Sequence, residues 1–319
     1  MPVNADKVHL WKADVAKSVD FYNDWFMRFA PKTYRGTRVK TTLQVKSALA
    51  KTANLTDISP QTLKSAPDIL PILRMVTAPP LARDRLIGLA GISPNLVKSM
   101  EIDGRVPPQL SDTVIDDELA KIGKIIRRLT DRDLFPWLAS KQKPLAVDVE
   151  RAAMIVADRL CGALFDPLIR NAQEQRQLNA LKHWLEERGY THLLKYQGKF
   201  NELPPGCFVF RLNVQVTHHN RARSINIPID AVVMPLHASA AELPLLIEAK
   251  SAGDYTNTNK RRKEEATKVA QLTGSYGAAV RFILFLCGYF DSGYLGYEAA
   301  EGIDWVWEHR MDDLAEFEL

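Results

Sequence analysis

The run Val280 to Tyr289, VRFILFLCGY, limits the possible folds of this chain more than any other segment. Apart from Arg281 it is apolar, with no alternation of polar and apolar positions. Such a strand must be covered on both faces, which requires a sheet lying between helical layers. The neighbouring sequence supplies both. Lys260 to Tyr276 places Ala266, Val269, Ala270, Thr273 and Tyr276 on one helical face. Before it come three β-textured segments: Cys207 to Thr217 (CFVFRLNVQVT), Ser224 to Met234 (SINIPIDAVVM) and Leu243 to Ser251 (LPLLIEAKS). They are rich in β-branched and aromatic residues, with partial period-two alternation. The order predicted from Asn171 is helix, three strands, helix, strand. The three strands suit a meander, and the helix between the third and fourth suits a right-handed crossover to a parallel strand. The fold class is α/β in the broad sense, an α+β mixed sheet flanked by helices.

The first half has a different texture. Asp14 to Phe29 carries Val15, Val19, Phe21, Tyr22, Trp25, Phe26 and Phe29, most of them on one broad helical face. Thr113 to Leu129 repeats the pattern with Val114, Ile115, Leu119, Ile122, Ile125, Ile126 and Leu129. Ala139 to Asp148 reads as a loop. Arg151 to Leu164 reads as a buried helix, interrupted by Asp166-Pro167. A further helix runs from about Asn171 to Arg188 and stops at Gly189. This divides the chain into a mostly helical region, 1–165, expected to serve as a scaffold, and a core, 166–319. Trp305 and Trp307 are packing residues or, more sharply, a dimer contact.

The three cysteines, Cys161, Cys207 and Cys287, lie far apart in apolar surroundings, so buried free thiols in a reducing compartment are expected. The start of the chain has no signal-peptide pattern and no apolar run is long enough to span a bilayer, so a cytoplasmic protein without a membrane partner is expected. A net charge of +4 and a pI near 8.8 are compatible with a DNA partner without demanding one.

The chemistry concentrates at Asp230, Glu248 and Lys250. Charged groups inside an apolar strand such as LPLLIEAKS are seldom tolerated without a partner. Residues two apart share a face of a strand, so Glu248 and Lys250 project together. Asp230 lies on the preceding strand of the meander, on the polar side of its alternation. If the strands pair, the two carboxylates converge and need a cation between them. An all-oxygen site with positions left for water suits Mg²⁺. The Ala249 backbone carbonyl is a further candidate metal ligand, and Glu174, at the margin of its helix's apolar face, is a candidate third carboxylate. Its alternative is an ion pair with Arg170 or Arg176. Lys250 beside a metal calls for an anionic ligand, which a DNA phosphate supplies. The expected activity is metal-dependent hydrolysis of DNA.

Further DNA contacts are expected from Asn257, Asn259, Lys260, Arg261, Arg262 and Lys263. Positive charge in the first turn of a helix opposes the helix dipole, which makes sense where a phosphate docks. The alternative is a solvated face balanced by Glu264 and Glu265. Arg221 and Arg223, between the first two strands, and Arg83 and Arg85, at a proline-initiated helix start, are weaker candidates. For the latter an internal Arg–Asp pair serves equally well.

Long phrases carry a resemblance: IEAKSAGDYTNTNKRRKEEATK, TAPPLARDRLIGLAG, VADRLCGALFDPLIRNAQEQRQL, FLCGYFDSGYLGY and AAEGIDWVWEHRMDDL. From SVDFYNDWF to DWVWEHR the chain resembles the XamI/SalI family of type II restriction endonucleases. The resemblance implies a PD-(D/E)XK restriction-endonuclease-like core with Asp230, Glu248 and Lys250 as its motif. Here Ile229 separates Pro228 from Asp230, a departure from the strict Pro-Asp form. It implies a homodimer that cuts double-stranded DNA within the palindrome GTCGAC after the first G. The ends would be a 5′-phosphate and a 3′-hydroxyl with four-base 5′ extensions. It also implies a cognate DNA methyltransferase as a functional partner. Two other readings of the residues are a structure-specific repair or junction nuclease and a non-catalytic DNA-binding module on the same fold.

Overall fold

The computed structural model describes residues 2–140, 142–217, 224–239, 242–256 and 258–319, with the side chains of 258–262 left out. Two compact units are present, one made of residues 30–167 and the other of 1–29 with 168–319. Residues 1–29, expected within the helical region, therefore pack in the sheet-bearing unit. The division falls inside two long helices, α1 (Val8–Lys51) and α8 (Ala146–Glu187), next to Pro31 and Pro167.

The expected break at Asp166-Pro167 does not occur. A helix-interior proline removes one backbone donor and crowds the preceding turn. Here helix continues on both sides of it, and each flank is anchored by its own buried residues: Ala153, Val156, Ala157 and Leu160 before, Leu178, Leu181 and Leu185 after.

The helical unit contains α2 (Pro60–Ser65), α3 (Leu70–Met75), α4 (Arg83–Ala90), α5 (Pro94–Lys98), α6 (Asp112–Leu129) and α7 (Trp137–Ser140). The α6 range agrees with its apolar periodicity: Ile115, Leu119, Ile122 and Ile126 are buried at spacings of three and four. They join Leu63, Leu70, Leu73, Leu86, Leu96 and Phe135 in one core.

In the other unit the described residues form a six-stranded sheet of order β1-β2-β3-β4-β5-β6. The strands are β1 (Thr191–His192), β2 (Cys207–Thr217), β3 (Ser224–Val233), β4 (Leu245–Ala252), β5 (Arg281–Gly288) and β6 (Asp304–Trp307). The expected meander β2-β3-β4 is antiparallel. Helix α9 (Thr258–Tyr276) leads from β4 to β5, which pairs parallel with it. The short edge strand β1 and the final β6 were not expected as strands; both pair parallel to their neighbours. Helix α10 (Ser292–Ala300) precedes β6, with Asp291 accepting from the Tyr294 amide at its start.

The apolar run in β5 is buried on both sides. Phe282, Leu284 and Leu286 enter one cluster with Leu272, Tyr294, Leu295, Trp11, Trp305 and Trp307. Ile283 and Phe285 enter the other with Leu181, Trp184, Leu185 and Val306. Burying each such side chain contributes about 1.5–3 kcal/mol. Trp305 and Trp307 are fully buried, which assigns them to packing and not to an exposed dimer surface. Cys161 and Cys287 are buried and Cys207 is half-buried; all three are free thiols. Among the described residues no helix is long and apolar enough to cross a membrane.

Candidate active site

Strands β2 and β3 pair from Phe208↔Val233 to Thr217↔Ser224, with the match at Arg211 and Asp230 left out. There each strand changes the face it buries. Val209 and Leu212 lie in the same cluster, as do Ile229 and Val232, although each pair is three residues apart. The turn in the backbone is at Arg211, which has φ of 55°. A left-handed conformation in a non-glycine residue costs roughly 1–3 kcal/mol and persists only where its surroundings hold it. Here the Arg211 side chain is held by Glu174 on α8, whose Oε1 accepts from Nε at 3.0 Å and from Nη2 at 2.7 Å.

The β3–β4 ladder ends at Ala231↔Ile247, one step before Asp230 and Glu248. Beyond that point the Ala249 amide donates to Asp230 Oδ2 at 2.9 Å. The strands thus part at the two carboxylates. A cavity of ≈ 280 Å³ opens there, lined by Asp230, Glu248, Ala249 and Lys250 from the strands and by Gln173, Glu174 and Gln177 from α8, among others. Asp230, Glu248 and Lys250 are therefore brought together on one cavity wall. Gln177 Nε2 donates to the backbone carbonyls of Lys250 at 3.3 Å and Phe285 at 3.0 Å, and Gln173 Nε2 contacts the Tyr22 hydroxyl at 2.5 Å.

The electrostatics follow from the crowding. Burial, and then the neighbouring Glu248, push Asp230 up to about 6. Burial alone would push Lys250 down, but Glu248 and Glu265 together outweigh it and hold the ammonium above its ordinary range. Lys250 Nζ lies 3.0 Å from Glu248 Oε1 and 3.0 Å from Glu265 Oε1. Lys268 Nζ reaches the same Glu248 oxygen at 2.7 Å and the Pro228 carbonyl at 3.2 Å. Glu248 Oε2 is buried and has no hydrogen-bond partner among the described residues.

Two crowded carboxylates with an open oxygen fit a hard divalent cation that keeps much of its water, as Mg²⁺ does. Among the described residues no three His, Cys, Asp or Glu side chains converge as a ligand group, so such an ion would rest on two carboxylates and backbone or water oxygens. Glu174 lines the same cavity, but its carboxylate is engaged by Arg211 and not by Arg176, which pairs with Glu308 at 2.8 Å.

Glu265 and Lys268 are participants that periodicity did not single out. The alternative of a solvated face balanced by Glu264 and Glu265 fails at Glu265, which is fully buried beneath the site. The available signal was its spacing: Glu265 and Lys268 are three apart, in step with the buried Leu272, and so share the face turned to β4.

Of the expected DNA contacts, Lys263 is exposed near the start of α9. Asn257, Arg221 and Arg223 lie outside the described residues, as do the side chains of Asn259, Lys260, Arg261 and Arg262. Arg83, in the helical unit, pairs with Glu101 Oε2 at 2.7 Å and not with Asp84; Arg85 is exposed.

Residues 53–307 match the family described as XamI restriction endonuclease. The chain is also 52% identical over 313 residues to the type II restriction enzyme SalI of Streptomyces albus G, covering 98% of each chain. No solved structure matches.

Proposed function

The chain belongs to the XamI restriction endonuclease family, and from that premise we propose that it is a magnesium-dependent type II restriction endonuclease built on a PD-(D/E)XK core. It acts in the cytoplasm as a homodimer on double-stranded DNA, beside a methyltransferase that protects the host. The palindrome is GTCGAC, cut after the first G. The observation that carries this reading is the parting of β3 and β4 at Asp230 and Glu248, with Lys250 on the same wall of the cavity.

In the proposed reaction a water oxygen attacks phosphorus, the P–O3′ bond breaks, and the 3′ oxygen takes up a proton. The products are a 5′-phosphate and a 3′-hydroxyl. Asp230, Glu248 and the Ala249 carbonyl would hold Mg²⁺, which polarises the phosphodiester and makes water more acidic when bound. Lys250, held as an ammonium by two carboxylates, suits orienting the attacking water and neutralising phosphate charge more than removing a proton. Arg211 engages Glu174 through Oε1, so Glu174 would join as a ligand through Oε2. Arg221, Arg223, Asn257, Asn259, Lys260, Arg261, Arg262 and Lys263 are proposed to contact DNA from the sheet-bearing unit, and Arg83 and Arg85 from the helical unit, which serves as scaffold.

Digestion of an unmethylated, mapped plasmid with Mg²⁺ tests this. Discrete fragments whose sequenced ends carry a four-base 5′ extension at GTCGAC are expected. Glu248→Ala should bind the same duplex without cutting it. A folded protein that leaves the plasmid intact, or degrades it at random, ends the proposal.

A further inference from the structure

Glu265 has no assigned part in the chemistry, and its surroundings are unusual for a structural residue. Its side chain is entirely removed from water, which is strongly unfavourable for a carboxylate without a cation beside it. The cation it faces is the ammonium of Lys250, at 3.0 Å. The nearby buried Glu298 does not compete for that role. Burial first, and Glu265 second, push Glu298 up to about 8, so at neutral pH it is mostly uncharged.

Lys250 lies between two carboxylates of different standing. Glu248 lines the cavity; Glu265 comes from α9 and is not among its lining residues, although its Oε2 too is buried without a hydrogen-bond partner among the described residues. When a divalent cation occupies Glu248, the attraction between Glu248 and Lys250 weakens and the cation repels the ammonium. Lys268, the other ammonium on Glu248, adds to that repulsion. Glu265, which that cation does not occupy, can then hold Lys250 at the cavity alongside the attraction of the phosphate itself.

We propose that Glu265 is a positioning residue: it anchors the Lys250 ammonium from the α9 side, so that the lysine stays at the cavity when metal engages Glu248. The inference rests on the nuclease reading above. It assigns Glu265 no contact with substrate and no proton transfer.

The test uses the full chain and a duplex containing the cleaved sequence. Single-turnover cleavage with Mg²⁺, DNA affinity with Ca²⁺ in place of Mg²⁺, and thermal stability are measured for the wild type, Glu265→Gln and Glu265→Asp. The fraction of active molecules is set by titration with DNA in Ca²⁺. Glu265→Gln is expected to lower the cleavage rate per active molecule by about 10- to 100-fold, since displacement of a catalytic group by about 1 Å has effects of that size. Its Ca²⁺-supported affinity should stay within about twofold of the wild type, the usual limit for an uncoupled site. Glu265→Asp, which keeps the charge on a shorter arm, should recover part of the rate. Should Glu265→Gln fail to fold, Glu265→Asp carries the comparison: a slower rate at unchanged affinity supports the anchor, and a wild-type rate overturns it. A folded Glu265→Gln that cuts at the wild-type rate, or loses DNA affinity in proportion to its rate, overturns the inference while leaving the nuclease reading intact. A wild type that never cuts overturns both.

Discussion

Two buried acidic clusters, one in each unit, treat charge in opposite ways. In the helical unit, the side chain of Glu101 is almost completely buried, yet both its oxygens are engaged. Arg74 donates to Oε1 at 2.6 Å and to Oε2 at 3.2 Å, and Arg83 donates to Oε2 at 2.7 Å. Arg74 also binds the Leu81 carbonyl, so the cluster ties α3, α4 and the segment after α5 together. In the sheet-bearing unit, Asp230, Glu248, Glu265 and Glu298 crowd around two lysines, and Glu248 Oε2 and Glu265 Oε2 lack a hydrogen-bond partner among the described residues. A satisfied buried acid serves structure. Acids packed with fewer partners than they need are the signature of a functional site.

The sharpest way to break this contrast is to remove Lys250. Lys250→Met should lower Mg²⁺-dependent cleavage by about 10²- to 10⁴-fold, the range for losing a group that manages the attacking water, while Ca²⁺-supported DNA binding persists. A gel cleavage assay reads the loss, and full activity in the variant would remove the site from consideration.

Next in size is the structural acid. Glu101→Ala leaves Arg74 buried without its partner and should cost about 3–5 kcal/mol in urea unfolding. Cleavage per folded molecule should be unchanged. Loss of cleavage at intact stability would mean that Glu101 belongs to function after all.

Asp230 allows a pH test. Its unfolded value is near 3.8 and its folded value about 6, so the folded protein holds the proton more tightly. The stability linked to it is fully present below about 3.8 and is lost as pH rises through about 6. Asp230→Asn should therefore be the more stable protein at pH 8, by of order 2–3 kcal/mol before metal is added, and by little at pH 4. Equal stability of the two proteins across that range would show that the carboxylates are not crowded.

The smallest effect belongs to the exposed pair Lys46–Glu150 in the helical unit, 2.5 Å apart with both side chains at least 40% exposed. Lys46→Ala should change stability by less than about 1 kcal/mol. A larger loss would place that pair with Glu101 instead of with the solvated surface.

Much of the fold could be read along the chain because periodicity is local. The strands at Cys207, Ser224 and Leu245, helix α6 and the doubly buried β5 all follow from side-chain spacing. Two errors share one cause. Pro167 reads as a break because its penalty is local, whereas the packing that carries α8 through it is not. The strand at Asp304 was overlooked because four residues hold too little periodicity; its pairing with β5 makes it a strand.

At the site, the residue types and the two-residue step from Glu248 to Lys250 were set by the sequence, since a strand presents alternate residues to one face whatever surrounds it. Which acids meet which lysines was decided in three dimensions. The kink at Arg211, the end of the β3–β4 ladder at Ala231, and the approach of Glu265 and Lys268 from α9 depend on segments 15 to 37 positions apart in the chain. Spacing along a chain records which way a side chain points, but only packing determines what it meets there.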